Sequence, residues 1–307
     1  MSQRSNRPSP RVTGKPRAKR PVLLSLVLAV ALSLLSAAVA MGATIIGNQG
    51  PDNLTGTPRH DRIFARAGAD TVTAMAGPDR VRAGADDDTA DGGPGPDRLH
   101  GNAGNDVIEG GPGFDLITGN AGSDRLDGGP GCDRIFAGPD DDAIDGGAGF
   151  SFRRFRCERL HGGVGNDVSA GGVGRDFMSG GPGDDVQNGD GGADRIFANP
   201  GRDKSDGGDG RDDLWALARV DVTALGDPDG DELTGGEGND RFHVRDGEVD
   251  LVHCGGGDRD LVLADQFDAI DADCERVERH DVTSLDQVED GPENRTENPP
   301  EDNDEGL

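Results

Sequence analysis

Aspartate recurs at every ninth position along most of this 307-residue chain. A first series runs from Asp52 to Asp142, a second from Asp167 to Asp212, and a third comprises Asp231 and Asp240. Carboxylate oxygens are hard ligands, and Ca²⁺ binds about six to eight such oxygens at roughly 2.3–2.6 Å. An acid–base pair needs only two carboxylates in distinct environments. So long a series at a fixed interval therefore indicates cation ligands rather than a glycosidase-like active site.

Glycines accompany each aspartate at fixed places in a nine-residue row. Residues 92–136 read GGPGPDRLH, GNAGNDVIE, GGPGFDLIT, GNAGSDRLD and GGPGCDRIF. Glycine takes the first and fourth places, glycine or asparagine the second, and aspartate the sixth. Because glycine adopts positive φ readily and carries no β-carbon to crowd neighbouring carbonyl oxygens, each row predicts a tight turn with backbone carbonyls beside one carboxylate.

The last three residues of each row predict the elements that position these ligands. One inward-facing side chain between two outward-facing ones is the pattern of a short β-strand. The inward residue is at place eight, which is apolar throughout the first series: Leu54, Ile63, Val72, Val81, Ala90, Leu99, Ile108, Ile117, Leu126, Ile135 and Ile144.

The rows, G-G-x-G-x-D-x-U-x, resemble the repeat of the RTX (hemolysin-type) calcium-binding family, over roughly residues 47–243. The resemblance implies an all-β, right-handed parallel β-roll or β-helix. Two rows, and so two short strands, make one 18-residue coil, and each row stacks on the next but one at about 4.8 Å. It also implies multiple Ca²⁺ ions as cofactors.

The expected calcium ligands are the place-six carboxylates and the backbone of the glycine turns in the most regular rows. The carboxylates are Asp52, Asp97, Asp106, Asp115, Asp124, Asp133, Asp167, Asp176, Asp185, Asp194, Asp212 and Asp240. The turn residues are Gly93, Gly95, Asn102, Gly104, Gly111, Gly113, Gly163, Gly165, Gly172 and Gly174. Rows at 65, 74, 83, 137 and 198 begin with alanine, and these are expected to keep the turn with weak or no metal binding.

Simple energetics predict that the metal is required for folding. Aspartates stacked at the strand spacing repel by roughly 1 kcal/mol per neighbouring pair even in a water-like dielectric. Each row buries one apolar side chain, which contributes about 1.5–3 kcal/mol, whereas ordering nine backbone residues costs on the order of 10 kcal/mol. Calcium must supply the difference, so metal binding and folding are expected to be one event.

The composition supports the same conclusion. The chain has 52 glycines, 59 acidic and 31 basic residues, a net charge of −28, no tyrosine and only 32% hydrophobic residues. This apolar share is too small for a large conventional core. So acidic a protein is not expected to bind nucleic acid, which is held by lysine and arginine, or anionic lipid surfaces. The partner that the charge predicts is a cation.

The N-terminus predicts export. Residues 1–20 are basic, residues 22–40 are an uninterrupted apolar run, and Ala38-Val39-Ala40 is a small-residue cleavage pattern. The run is also near the length that spans a bilayer, so residues 1–43 are either a cleaved signal peptide or a retained membrane anchor. Both alternatives place the remainder outside the cytoplasm, as a secreted or a membrane-anchored protein.

Four cysteines fit an exported chain with two disulfides. Cys132 and Cys157 both occupy place five, two rows apart, so stacked coils would bring them within the roughly 4.4–6.8 Å Cα separation of a disulfide. Cys254 and Cys274 lie beyond the regular rows and form the natural second pair.

Departures from the pattern predict weak points. Ser169, Gln187 and Ser205 stand at place eight in the second series. This stretch is therefore expected either to be looser or to shift its register so that Val168 and Val186 turn inward. The insertion 150–156 (FSFRRFR) predicts a covering loop or a ligand patch. The place-seven arginines, Arg62, Arg80, Arg98, Arg125, Arg134 and Arg195, are expected to face outward.

The predicted organisation is a roll over 44–215, an interrupted continuation over 216–246, a small cap over 247–280 and a disordered acidic tail over 281–307. No H-E-x-x-H or G-x-S-x-G motif occurs, and no segment outside the roll suits a catalytic domain, so a non-enzymatic protein is expected. Two roles remain: a structural or interaction module at the cell surface, with a surface partner or self-association, and a calcium buffer or calcium-responsive scaffold. A secreted RTX-type enzyme, protease-like or lipase-like with an unrecognised catalytic site, is the alternative.

Overall fold

The structure is a computed structural model, and it describes residues 42–149, 158–216, 225–226 and 228–284. In chain order its strands are β1 (Thr44–Ile46), β2 (Asn53–Thr55), β3 (Arg62–Ala67), β4 (Thr71–Thr73), β5 (Arg80–Ala85), β6 (Thr89–Asp91), β7 (Arg98–Ala103), β8 (Val107–Glu109), β9 (Leu116–Ala121), β10 (Arg125–Asp127), β11 (Arg134–Pro139), β12 (Ala143–Asp145), β13 (Arg159–Val164), β14 (Val168–Ala170), β15 (Val173–Gly174), β16 (Phe177–Ser179), β17 (Val186–Asn188), β18 (Gly191–Gly192), β19 (Arg195–Phe197), β20 (Lys204–Asp206), β21 (Asp209–Gly210), β22 (Asp213–Trp215), β23 (Glu232–Thr234), β24 (Glu237–Gly238), β25 (Arg241–Val244), β26 (Leu251–His253), β27 (Leu261–Ala264), β28 (Ala269–Ile270) and β29 (Arg276–Arg279).

The strands form a parallel β-solenoid of about 12 turns. Sheet A has 13 strands in the order β1-β3-β5-β7-β9-β11-β13-β16-β19-β22-β25-β27-β29, and sheet B has 12 in the order β2-β4-β6-β8-β10-β12-β14-β17-β20-β23-β26-β28. A small third sheet, β15-β18-β21-β24, lies in the turns. Most residues pair with the residue 18 positions later, as Leu99 does with Ile117. The predicted all-β fold with two strands per 18-residue coil is confirmed.

The core is one row of place-eight side chains from each sheet, packed against each other. Ile63, Leu99, Ile117 and Leu160 are completely buried, and the place-eight residues of both sheets belong to a single apolar cluster. Place seven faces outward: Arg98, Arg125 and Arg134 are exposed, and Arg62, Arg80 and Arg195 are half-buried. Each turn therefore contributes only about two core side chains.

The expected register shift in the second series is wrong. Ser169 and Gln187 stay inside the solenoid, 7% and 1% exposed, while Val168 and Val186 remain outside at 54% and 44%. Ser205 is also buried, and its hydroxyl donates to Gln187 Oε1 at 3.1 Å. A one-residue slip would turn every side chain of the strand to the other face, including the residues next to the place-six aspartates. Part of the polar core is instead satisfied by hydrogen bonding.

The solenoid extends beyond the regular rows. β26 to β29 lie in the segment predicted as a cap, yet they continue both sheets in parallel register. The predicted Cys254–Cys274 disulfide is confirmed, with the two Cα atoms 5.2 Å apart. Cys132 is disulfide-bonded as well, but its predicted partner, Cys157, lies outside the described residues.

Several predictions fall on the parts of the chain that the structure does not describe. They concern the N-terminal segment 1–41, the insertion 150–156 and almost all of the acidic tail. Residues 217–224 of the interrupted continuation also lie there. Among the described residues, no helix has the length and hydropathy needed to span a membrane.

Adjacent residues of one strand test this core. Ile108 is 1% exposed and Val107 is 44% exposed. Ile108→Ala is expected to lower the free energy of unfolding in calcium by about 2–5 kcal/mol, because the cavity it leaves has few neighbours that can fill it. Val107→Ala is expected to change it by less than about 0.5 kcal/mol. Urea unfolding monitored by circular dichroism measures both, and equal effects would contradict the assigned faces of β8.

Candidate metal centre

The place-six carboxylates form two continuous columns, one at each corner of the solenoid. In each column Oδ1 of an aspartate accepts a hydrogen bond from the backbone N–H of the acidic residue one turn earlier. The N–H of Asp97 donates to Asp115 Oδ1 at 2.7 Å, and the N–H of Asp106 donates to Asp124 Oδ1 at 2.8 Å. These bonds link successive turns outside the two main sheets.

The column before sheet A contains Asp61, Asp79, Asp97, Asp115, Asp133, Glu158, Asp176, Asp194, Asp212, Asp240, Asp260 and Glu275. The column before sheet B contains Asp52, Asp70, Asp88, Asp106, Asp124, Asp142, Asp167, Asp185, Asp203, Asp231, Asp250 and Asp268. The twelve predicted aspartate ligands therefore divide between two opposite columns. All of them are buried except Asp52, which is half-buried.

Sequence reasoning missed several members of these columns. Glu158 replaces aspartate after the insertion, and its Oε2 accepts the N–H of Asp133 at 2.6 Å. Glu275 does the same for Asp260 at 2.9 Å. Asp250 and Asp268 stand in rows that lack the glycine pattern, and the row of Asp260 has Asp258 in place of the fourth-place glycine. Counting back two residues from each inward apolar side chain, such as Leu160 or Val252, would have found them.

The second carboxylate oxygen is the atom that needs a cation. Asp97, Asp106, Asp115 and Asp124 each have a buried Oδ2 without a hydrogen-bond partner in the described part of the chain. A buried anionic oxygen without a donor is costly. The same holds for Oε1 of Glu158. These oxygens are correctly oriented and chemically suited for a hard cation.

The first glycine of each row makes room for this oxygen. A β-carbon built on Gly101 would lie 2.1 Å from Asp106 Oδ2, and one on Gly119 would lie 2.2 Å from Asp124 Oδ2. A side chain at place one of these rows would press on the carboxylate, although the alanine-led rows still hold Asp79 and Asp142 in their columns. The regular rows thus combine glycine at place one with aspartate at place six.

The glycine turns stack on one another from coil to coil. A β-carbon on Gly95 would lie 2.1 Å from the carbonyl oxygen of Gly77, and one on Gly113 would lie 1.9 Å from that of Gly95. Positive φ is adopted by most of the predicted turn ligands, namely Gly93, Gly95, Asn102, Gly104, Gly111, Gly163, Gly165 and Gly172. Gly113 instead pairs with Gly131 in an isolated bridge, and Gly174 ends β15.

The rows that depart from the pattern keep the same turn at a cost. Arg66, Met75 and Asn199 occupy place two of alanine-led rows and have φ of 90°, 81° and 73°. Side chains other than glycine rarely adopt this conformation. The stacking therefore imposes the turn even where the residue does not favour it.

Burial changes the acidity of the columns. Desolvation raises the pKa of Asp97 and Asp106 to about 7 and that of Asp133 to about 8, and the hydrogen bond from the preceding turn lowers each value only in part. Burial likewise raises the pKa of Glu158 to about 9. A cation beside these groups would stabilise their charged form and reverse the shift.

The donor set fits calcium. Carboxylate and carbonyl oxygens are hard ligands suited to Ca²⁺, whereas zinc and copper favour histidine nitrogen or cysteine sulfur. Within the described residues, one cysteine-containing cluster with metal-ligand spacing is Cys254, Asp273 and Cys274. Its two sulfur atoms form the disulfide, so they do not serve as thiolate ligands.

A separate acidic cluster lies near the C-terminal end of the column before sheet B. Asp246, Glu248 and Asp250 are buried, and each offers an oxygen within 4.8 Å of the others. Asp246 and Glu248 take places two and four of their row, where regular rows have glycine. This group offers three carboxylates in place of one carboxylate and backbone carbonyls, a set that also suits a hard cation.

No curated protein sequence matches the chain. A solved structure described as a hyperactive, Ca²⁺-dependent, β-helical antifreeze protein from an Antarctic bacterium is similar at 20% sequence identity. The match covers 78% of this chain and 86% of that one, with a TM-score of 0.36.

The family comparison covers more than half of the chain. The model of the RTX calcium-binding nonapeptide repeat matches residues 46–81, 82–117, 118–152, 161–196, 179–214 and 224–248. These ranges contain the glycine turns and most of the two carboxylate columns. The chain therefore belongs to the RTX calcium-binding nonapeptide repeat family.

Proposed function

We propose that this protein is a secreted or cell-surface calcium-binding repeat protein that folds when calcium binds and has a structural or interaction role rather than a catalytic one. The observation that carries the proposal is a set of buried Oδ2 atoms, among them those of Asp97, Asp106, Asp115 and Asp124. These atoms have no hydrogen-bond partner in the described part of the chain and lie beside the first glycine of their row. The basic and apolar N-terminal segments support export. Extracellular calcium would then load the columns after secretion.

The structure gives a physical reason for coupling calcium to folding. Each turn buries about two core side chains and also two carboxylates. Neighbouring carboxylates raise each other's pKa, as Asp79 and Asp115 do for Asp97. Calcium at the Oδ2 positions would remove this repulsion and join successive turns. Burial of the core side chains alone does not supply this stabilising free energy.

Calcium-dependent folding is expected to be visible by circular dichroism. Residues 41–307 should show little strand signal in chelator and gain it cooperatively at sub-millimolar to millimolar calcium. Magnesium at the same concentration should fail, because it favours a smaller octahedral site and keeps its water ligands. A chain that is fully folded in chelator at neutral pH would contradict the proposal.

Asp106→Asn separates a calcium ligand from a structural hydrogen-bond acceptor. Asparagine can still accept the N–H of Asp88, as Asp106 Oδ1 does at 2.8 Å, but it lacks the charge. In chelator the variant is therefore expected to show the same low strand content as the unchanged chain, or slightly more because a buried charge is removed, and it should need several-fold more calcium for folding. Calcium titrations monitored by circular dichroism give both results.

The control for this variant is Glu109→Gln, which makes the same charge change on an exposed side chain three residues away. It should leave the calcium midpoint within about a factor of two, in keeping with small surface effects. An equal shift for both variants would mean that net charge, rather than the Oδ2 position, sets the calcium requirement.

The raised pKa values also predict a pH dependence in the absence of metal. Asp97, Asp106, Asp133 and Asp185 have folded-state pKa values of about 7 to 8 because of burial, and unfolded aspartate has about 3.9. The folded state then binds more protons, so its stability is greatest below about pH 4 and is lost as the pH rises through 7 to 8. Strand content in chelator should therefore increase on acidification from pH 8 to pH 5, and a decrease would contradict the assigned burial.

A further inference from the structure

Six consecutive turns in the C-terminal half each place one arginine at the corner that leads into sheet A. These residues alternate between place five and place seven of their rows. They are Arg175, Arg195, Arg211, Arg241, Arg259 and Arg276, called here the arginine stripe. With one turn per strand spacing of about 4.8 Å, the stripe is roughly 24 Å long.

Two adjoining surface grooves join these arginines. The first, of about 310 Å³, is lined by Arg175, Arg195, Arg211 and Arg241. The second, of about 840 Å³, is lined by Arg211, Arg241, Arg259 and Arg276. Because Arg211 and Arg241 belong to both grooves, the stripe is one continuous concave surface.

Most of these guanidinium groups lack a carboxylate partner. Arg175, Arg211, Arg241 and Arg259 are exposed and form no ion pair with another described residue. Arg195 is 3.8 Å from Asp213, and Arg276 pairs with Glu278. In a chain with 59 acidic and 31 basic residues, a line of arginines without such partners is a localised departure from the overall charge.

The grooves hold fewer solvent-facing acids than arginines. The carboxylates of Asp194, Asp212 and Asp240 also line them, but these are buried in the column before sheet A. Those that reach solvent are Asp213, Asp258 and Glu275. With Glu278, the ion-pair partner of Arg276, six guanidinium groups therefore face four accessible carboxylates, which leaves a local positive excess on a strongly negative protein.

The width of the arginine stripe and the spacing of its charges indicate which kind of polyanion it fits. It is one side chain wide, with a single cation per roughly 4.8 Å, whereas duplex DNA carries one charge per about 1.7 Å of its axis. Single-stranded nucleic acid is usually held by exposed aromatic rings on which bases stack. The nearby rings of Phe177, Phe197 and Trp215 are only 2%, 2% and 9% exposed, so they offer no such platform.

We propose that the arginine stripe binds a linear acidic polysaccharide, a polymer of uronic acids whose carboxylates pair with successive arginines. The planar guanidinium group binds a carboxylate through two parallel hydrogen bonds. One sugar ring with its linkage is about as long as one solenoid turn is high. A single polysaccharide strand thus places one carboxylate opposite each turn. Because the strand is narrow, its negative charges stay away from the acidic surface around the stripe.

This inference goes beyond calcium binding but requires the calcium-folded solenoid of the proposed function. The test titrates hexagalacturonate, six linked galacturonic acids, into the full chain at a fixed, saturating calcium concentration, with isothermal titration calorimetry as the measurement. Circular dichroism of the same sample reports the fold. Absence of binding by a folded protein would overturn the stripe alone, whereas an unfolded protein in calcium would overturn the proposed function.

Paired variants give the decisive comparison. Arg211→Gln with Arg241→Gln is expected to weaken hexagalacturonate binding about ten- to hundredfold and to lower its dependence on salt, because two charge-assisted contacts are lost. The matched control is Arg125→Gln with Arg202→Gln, which removes the same charge from places seven and five of rows that lead into sheet B. It should change the affinity by less than about twofold.

Four results would contradict the proposal. Equal losses in both double variants would show a general charge effect. Unchanged affinity of the stripe variant, with binding that falls as free calcium is lowered within the folded range, would show bridging by calcium rather than pairing with arginine. Tighter binding of a six-nucleotide oligothymidylate than of hexagalacturonate would assign the stripe to single-stranded nucleic acid, and binding of neutral maltohexaose would exclude recognition of charge.

Discussion

Buried carboxylates stacked one turn above another are the constraint on which this solenoid depends. Each aspartate of a column has two oxygens with different tasks. Oδ1 accepts the N–H of the preceding turn and so holds the spacing, as Asp115 does for Asp97. Oδ2 faces the glycine turn and remains a buried anion unless a cation or a proton neutralises it. The hydrogen bond that joins successive turns and the oxygen proposed to bind calcium consequently belong to the same side chain.

The rest of the architecture accommodates these columns. Glycine at place one leaves space for Oδ2, and the turn glycines allow successive loops to stack in contact. The core is only one residue wide in each sheet, so it cannot offset the cost of two buried acids per turn. Disulfides add covalent links to these contacts: Cys132 is disulfide-bonded, and Cys254–Cys274 joins turns near the C-terminal end of the described residues.

Much of the fold and of the carboxylate columns could be predicted from the period of the sequence. The predictions that were wrong or incomplete have physical causes. The nine-residue interval predicts the strands, the inward side chain at place eight and the carboxylate at place six. Glu158 escaped because it follows the insertion and is not an aspartate, and Asp250 and Asp268 escaped because the glycines around them are replaced, although the stacking of strands keeps all three in position. The register shift expected at Ser169, Gln187 and Ser205 is wrong because polar residues were assumed to avoid the core. The pairing of each strand with its neighbours keeps them inside. That register is fixed by hydrogen bonds on both sides of each strand.

The repeated contact between one turn and the next also makes the length of the protein adjustable. Every turn presents the same N–H to its successor and the same carboxylate to its predecessor, so a whole coil can be added or lost without altering the chemistry of its neighbours. Longer sequence intervals keep the same contact: 25 residues separate Asp133 from Glu158 and 28 separate Asp203 from Asp231, and both hydrogen bonds are formed. Such a solenoid can grow by duplication of short gene segments, and its length can change while the contact between neighbouring turns stays constant.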